Sequence, residues 1–185
     1  MAVLALAALE APAQQVIAPA IPVESQNTRF IKAVHKALEL LRERAPQDFE
    51  FARAHVGRVR EVERWAQVGM GVMEEPPVAK LRRQEVMGST SWLASVLVHE
   101  ACHRFQYLRG VERHGKRFPP NYEYSGRIAE LECLERQAET LERVKAPERE
   151  IRFVRAQDGR HYLRNEFGSY YAGHWDPSAQ DPREK

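Results

Sequence analysis

Cysteine is nearly missing from this chain. Only Cys102 and Cys133 occur in 185 residues, which excludes a disulfide-built scaffold. Charge of one sign is missing too. The formal net charge is +2, and the basic residues are interleaved with acidic ones. Stretches such as Arg58 to Arg64 therefore read as solvated faces, and no nucleic-acid partner is expected. No apolar run approaches the length that spans a bilayer, so no membrane partner is expected either. The short apolar run Val3 to Leu9 has no Lys or Arg before it, and Glu10 follows it directly. A secretory signal needs a basic start, so residues 1–25, with Pro12, Pro19 and Pro22, are expected to form an extended arm. A cytoplasmic location is the expectation, with secretion through an atypical signal as the alternative.

What remains is a chain long enough for one domain with a real core, expected over residues 26–178, with a frayed tail at 179–185. Asn27 is placed to cap a helix in which Phe30, Ile31, Val34, Ala37, Leu38 and Leu41 repeat at helical spacing until Ala45-Pro46. His35 falls on its boundary. Between Phe49 and Gly88, Val and Gly alternate loosely, which suggests two to four short strands.

Residues 89–108 contain neither Gly nor Pro and open with Ser89, Thr90 and Ser91 as possible caps. A helix here is expected to stop before Gly110. On it, Leu93, Val96, Leu97, Ala101, Phe105 and Leu108 form an apolar side. Ser95, His99, Cys102, His103 and Gln106 form the opposite stripe, which is expected to face a wet cleft. Within the stripe lies His99-Glu100-Ala101-Cys102-His103, an H-E-x-x-H pentapeptide. Residues four apart share a helix face, so both imidazoles can reach one metal ion, while Glu100 sits beside it as a general base. The bland reading is a chance pentapeptide with two satisfied histidines.

After Gly110 comes a polar, aromatic loop with His114, Pro119, Pro120, Tyr122 and Tyr124. Ser125 is then placed to cap a second long helix to about Lys145, with Ile128, Leu131, Leu134, Ala138, Leu141 and Val144 as its apolar set. Pro147 breaks it, and a shorter helix follows to about Gln157. A catalytic zinc takes three protein ligands, so a third is needed. The helix after Ser125 offers Glu130, Glu132, Glu135 and Glu139. On a helical wheel Glu130 and Glu135 flank the apolar sector, and Glu132 points away from it.

H-E-x-x-H followed by a Glu on a downstream helix resembles the gluzincin metallopeptidases, in particular the minimal members of the zincin clan. The resemblance covers residues 88 to 145. Glu130-Leu131-Glu132-Cys133-Leu134 resembles the E-x-x-A-D type segment that carries the family's ligand Glu, with Cys133 in place of Ala. It departs at Leu134, where an acidic or amide residue would orient a ligand histidine. Glu135-Arg136-Gln137-Ala138-Glu139 also fits, so Glu135 stays open. The metzincin pattern is excluded, because Gln106 and Arg109 stand where it requires Gly and His. His114 and His161 remain possible ligands by folding back.

The resemblance implies an α+β, zincin-like fold: a small antiparallel sheet packed on an active-site helix and a glutamate-bearing helix. It implies Zn2+ held by His99, His103 and Glu130, and hydrolysis of peptide or protein substrates with Glu100 as base. An edge strand between Val68 and Met87 would take the substrate by strand addition. An oxyanion-stabilising residue is also expected: Tyr122 is nominated, among Tyr124, His161, Tyr170, Tyr171 and His174. The two cysteines are read as buried thiols, a helix-to-helix disulfide or a thiol ligand. The alternative function is a zinc-binding module with a regulatory or structural role and no peptidase activity; a third is a helical interaction protein without metal. Nothing in the sequence names a substrate sequence or an oligomeric state.

Overall fold

The computed structural model describes residues 21–63, 68–83, 88–115 and 118–160. The expected arm up to residue 20 and tail at 179–185, and the candidates His161, Tyr170, Tyr171 and His174, lie outside these residues. Arg64 and residues 84–87 do as well.

The described chain is α+β. Strand β1 (Val23–Glu24) leads into helices α1 (Thr28–Arg44) and α2 (Pro46–His55). Strands β2 (Arg58–Val62), β3 (Gly69–Gly71) and β4 (Val78–Arg82) follow. Helix α3 (Thr90–His114), the four-residue α4 (Tyr122–Ser125), α5 (Arg127–Arg143) and α6 (Glu148–Arg155) complete it.

Helix α1 starts where its sequence says it should. The Asn27 side chain accepts from the backbone N–H groups of Arg29 and Phe30, and Ala45 ends the helix. Phe30, Val34, Ala37, Leu38 and Leu41 are buried, and His35 is exposed. Helix α2 occupies a stretch where strands were expected to begin. Pro46 stands at its first turn with Asp48, and Arg53 and His55 close it, a charge order that suits the helix dipole.

The sheet order is β1-β2-β4-β3. It is mixed, which corrects the antiparallel expectation. β2 pairs in parallel with β1 (Val23 opposite Val59) and with β4 (Arg58 opposite Val78). Only β3 runs antiparallel, against β4, with Met70 opposite Ala79. The cause is the connection: α1 and α2 intervene between β1 and β2, and a crossover of that length returns the chain in the same direction. The strand β1 itself lies in the segment expected to be an arm.

Phe30, Val34, Leu38 and Leu41 of α1, Phe49 and Ala52 of α2, Val59, Ala79 and Leu81 of the sheet, and Leu93, Ala94, Leu97, Val98 and Ala101 of α3 form one core. A smaller cluster joins Leu134, Ala138 and Leu141 of α5 to Ile151 and Val154 of α6. Helix α3 thus buries one side in the main core, but Leu108 lies beyond it and is exposed. The expected stop before Gly110 is also corrected. The helix runs on to His114 and ends at Gly115, whose φ of 55° is the left-handed cap conformation. Gly110 serves close packing instead: a Cβ there would sit 2.8 Å from Pro119 Cβ. No helix among the described residues is long and apolar enough to cross a membrane.

Candidate metal centre

Helix α3 is capped by Ser89, whose hydroxyl accepts from the Trp92 N–H, and it stays regular through the H-E-x-x-H segment. A wet cleft was expected beside its polar stripe; among the described residues the stripe packs on α5. The Gln106 amide donates to the Ala129 carbonyl at 3.0 Å, and Gln137 donates to the Ser95 hydroxyl at 3.3 Å. Small and polar residues on both helices let the backbones approach, so the stripe is an interhelical seam.

In that seam His99, His103 and Glu130 converge, with ligand-type atoms all within 4.8 Å of one another. Glu130 Oε2 lies 3.3 Å from His99 Nε2, and Glu130 Oε1 lies 3.4 Å from His103 Nε2. The two Nε2 atoms are 3.1 Å apart. Four ligands placed tetrahedrally at zinc's usual bond length of roughly 2.0–2.1 Å would be about 3.3 Å from each other. The two imidazole nitrogens already stand near that spacing, and Glu130 reaches each of them with a different carboxylate oxygen. Exposure is 7% for His99, 8% for His103 and 6% for Glu130. A buried carboxylate facing two imidazoles is costly unless something compensates its charge, which suits a divalent cation.

The other carboxylates of α5 are elsewhere. Glu132 is exposed and accepts from Arg109 and Gln106. Glu135 is exposed, and Glu139 is exposed beside Arg143. His114 is taken up by Glu123 at the far end of α3.

The partner that orients His103 is a backbone group. Its Nδ1 lies 2.9 Å from the Tyr124 carbonyl. A carbonyl only accepts, so Nδ1 carries a proton, which leaves Nε2 as the ring nitrogen turned toward Glu130. This fills the role left vacant by Leu134, which is buried in the α5–α6 cluster. Tyr124 stacks edge-on against Tyr107, with ring centroids 5.3 Å apart, and burial raises its phenol pKa above the ordinary value. Tyr122 is half-buried on the same short helix, where a loop was expected. Ser125 closes that helix, and Gly126 stands at the cap position of α5, which has no side-chain cap.

Glu100 is buried, 9% exposed, beside the edge strand. A Cβ built on Gly69 would lie 3.9 Å from Glu100 Oε2, and Gly69 has φ 110°, a conformation L side chains rarely adopt. Arg104, next to His103, anchors the turn after β3: it donates to the Val72 carbonyl and, at 2.7 Å, to Glu75. Sequence reasoning missed Arg104, although an Arg inside a buried helix face is a recognisable signal of a bound partner. The two cysteines are joined. Cys102 of α3 and Cys133 of α5 form a disulfide with Cα atoms 5.5 Å apart, which realises one of the three open readings and leaves no thiol to act as a ligand.

A separate cleft, lined by Ser25, Asn27, Glu61, Glu63, Arg82 and Arg83 among others, lies at the carboxyl ends of β1, β2 and β4. It shares no residue with the cluster, and Glu61 there is engaged by Ser25 and Arg83. Chemistry, not the size of a cleft, singles out the α3–α5 seam. Compared with known proteins, the chain matches no family model, no curated protein and no solved structure.

Proposed function

We propose that the protein is a zinc-dependent hydrolase of peptide bonds, with His99, His103 and Glu130 as ligands and Glu100 as general base. The observation that carries the reading is the convergence of three buried side chains, with the two imidazole nitrogens 3.1 Å apart and one Glu130 oxygen facing each at 3.3 and 3.4 Å. When bound, zinc makes a water acidic enough to attack near neutral pH and polarises the carbonyl under attack. The residues supply the rest. The Tyr124 carbonyl would fix the His103 ring through its Nδ1–H, presenting Nε2 to the metal. Glu100 takes the water's proton onto its carboxylate and returns it to the departing amine. Strand β3 is a sheet edge next to α3, and an extended peptide pairing with it would pass Gly69, where no side chain separates it from the Glu100 carboxylate. Tyr122 is the proposed stabiliser of the developing oxyanion.

Burial favours a second reading. A site whose four residues are all under 10% exposed fits a zinc-binding module that holds helices together without hydrolysis. Glu100 discriminates, because a purely structural centre has no use for a base beside its ligands.

The test is elemental analysis of the wild type with Glu130→Ala, Glu132→Ala and Glu135→Ala, followed by peptide-library cleavage with Glu100→Gln. About one zinc per chain is expected, lost in Glu130→Ala alone. Cleavage should fall about 10²- to 10⁴-fold in Glu100→Gln with zinc retained. A wild type that takes up no zinc overturns the metal centre. Full zinc with no cleavage of any peptide leaves the second reading standing.

A further inference from the structure

We propose that the Cys102–Cys133 disulfide is a positioning bond for this metal centre, so that its redox state sets the affinity for zinc. The proposal rests on the metal-centre reading above and adds a control to it.

The argument begins with where the ligands come from. His99 and His103 are fixed relative to each other by one helix, but Glu130 belongs to another. The third donor is therefore only as well placed as α5 is on α3. Around the cluster that contact has little apolar glue. The main core takes its residues from α1, α2, the sheet and the opposite side of α3, and none from within α5; only Val144, the residue that caps its far end, joins it. The apolar residues Leu134, Ala138 and Leu141 of α5 cluster instead with α6, and α3 adds to them only Trp92 in its first turn, two helical turns before His99. What faces the seam is Ala129, Glu130, Cys133, Gln137 and Thr140, all buried and mostly small or polar.

The disulfide sits where that weakness would matter. Cys102 immediately precedes the ligand His103, and Cys133 follows Glu130 by one helical turn, on the same face. One covalent bond thus fixes the separation of the two backbones that carry the ligands. The sulfurs lie behind the site, not in it: Cys133 Sγ is 3.8 Å from His103 Nδ1, the ring nitrogen turned away from the ligand atom Nε2. The chain has no other cysteine, so no alternative pairing competes within it.

Reduction by a dithiol moves two electrons and two protons onto Cys102 and Cys133. The S–S bond breaks, and the reductant closes its own disulfide. Helix α5 is then held on α3 by non-covalent contacts alone: hydrogen bonds such as Gln106 to Ala129 and Gln137 to Ser95, the half-exposed Arg109–Glu132 pair, and Trp92 packed on the α5–α6 cluster. Glu130 loses its fixed distance from the histidines, and zinc is held less tightly. The protein would carry its metal in an oxidising setting and release it under dithiol reduction.

The experiment uses the full chain in three forms: oxidised, dithiol-reduced, and the Cys102→Ala/Cys133→Ala double variant. Thiol counting after denaturation establishes the starting state, and zinc affinity is read by competition with a chromophoric chelator. Measurements are made where circular dichroism shows each form folded. Cobalt(II) spectra of the same samples report any thiolate ligand.

The oxidised chain should have no free thiol and bind zinc about 10- to 100-fold more tightly than both other forms, the range expected for loss of an outer support of a metal site. A bond that serves stability alone would lower the melting temperature of the other two forms and leave their affinities equal to the oxidised one, which overturns the proposal. So would two free thiols in the oxidised preparation, or tighter binding on reduction with a thiolate-to-cobalt charge-transfer band. If the oxidised chain binds no zinc, the metal centre itself fails; equal affinities across the three forms sink only the redox control. Should the double variant not fold, the reduced wild type decides between these outcomes by itself.

Discussion

The two sides of helix α3 are built on opposite plans. One side, Leu93, Ala94, Leu97, Val98 and Ala101, is locked into the main core with two other helices and the strands β2 and β4. The other side, Ser95, His99, Cys102, His103 and Gln106, is buried equally well but against α5 and through polar contacts. Ala101 and Cys102 are adjacent in the chain and belong to different worlds. Burial alone does not say what a residue is for. The apolar side fixes where the helix lies, and the polar seam uses that fixed position to bring donors from two helices together. The seam draws its own cohesion from a covalent bond: closing a loop over a sequence separation of 31 residues is worth about 3–4 kcal/mol in the chain-entropy picture.

This division is broken most severely from the apolar side. Leu97 is fully buried in the main core, and Leu97→Ala should cost about 2–5 kcal/mol by chemical denaturation. Zinc content of the molecules that remain folded should not change. A stability loss below 1 kcal/mol, or selective loss of zinc from a folded variant, would show that the two sides are not separable.

A substitution at Gly110 sharpens the comparison. In a helix interior, Ala is preferred over Gly by about 1 kcal/mol. Here the added Cβ would meet Pro119 Cβ at 2.8 Å, Pro119 Cγ at 3.0 Å and Glu123 Oε2 at 3.1 Å. Proline and the segment leading to Tyr124 must shift away from α3, and with them the carbonyl that orients His103. Gly110→Ala should therefore lose about 1–2 kcal/mol net and weaken zinc binding about tenfold, with the main core intact. Increased stability in the variant would mean that the segment yields freely.

How much of this was legible in the sequence follows the same line. Helix α1 could be read from Asn27 to Ala45, because a cap, a 3.6-residue apolar repeat and a proline all point the same way. That His99 and His103 would lie side by side was legible for a related reason: i and i+4 on one helix is local geometry. Glu130 was only weakly favoured, since its choice over Glu135 depends on how α5 is rotated against α3, which is a tertiary fact. Helix α2 was missed although Pro46, Asp48 and Arg53 signalled it, because the valines and glycines after His55 pulled the whole stretch toward strand. The parallel pairing of β1 with β2 involves residues separated by two helices, and two-residue strands carry no periodicity. The orienting group of His103 was invisible in principle. A backbone carbonyl leaves no signature in the identity of Tyr124.

The smallest expected effect tests whether the polar seam's outer rim contributes to stability at all. Glu132 links α5 to α3 by accepting from Arg109 at 3.0 and 2.8 Å and from Gln106 at 3.2 Å. Partial burial raises its pKa, but the hydrogen bonds from Arg109 and Gln106 outweigh that and hold it below the ordinary value of 4.5. A carboxylate with a lowered folded-state pKa adds stability that is present above 4.5 and disappears as pH falls through the folded value. With side chains 37% and 40% exposed, the Arg109–Glu132 pair is screened by water, and a contribution well under about 1 kcal/mol is expected. Glu24, held low by Arg60 and Arg58, and Glu61, held low against its burial by the Ser25 hydroxyl and Arg83, add their own acid dependence and are the same in both proteins compared. The readout is thus a difference: urea stability of wild type minus Glu132→Gln, near neutral pH and again below pH 4. The difference should be a few tenths of a kcal/mol at neutral pH and vanish in acid. A gap that persists at low pH would assign the effect to packing of the side chain, and a gap above about 1 kcal/mol would mean that ion pairing at this rim, and not the disulfide behind it, is what holds α5 on α3.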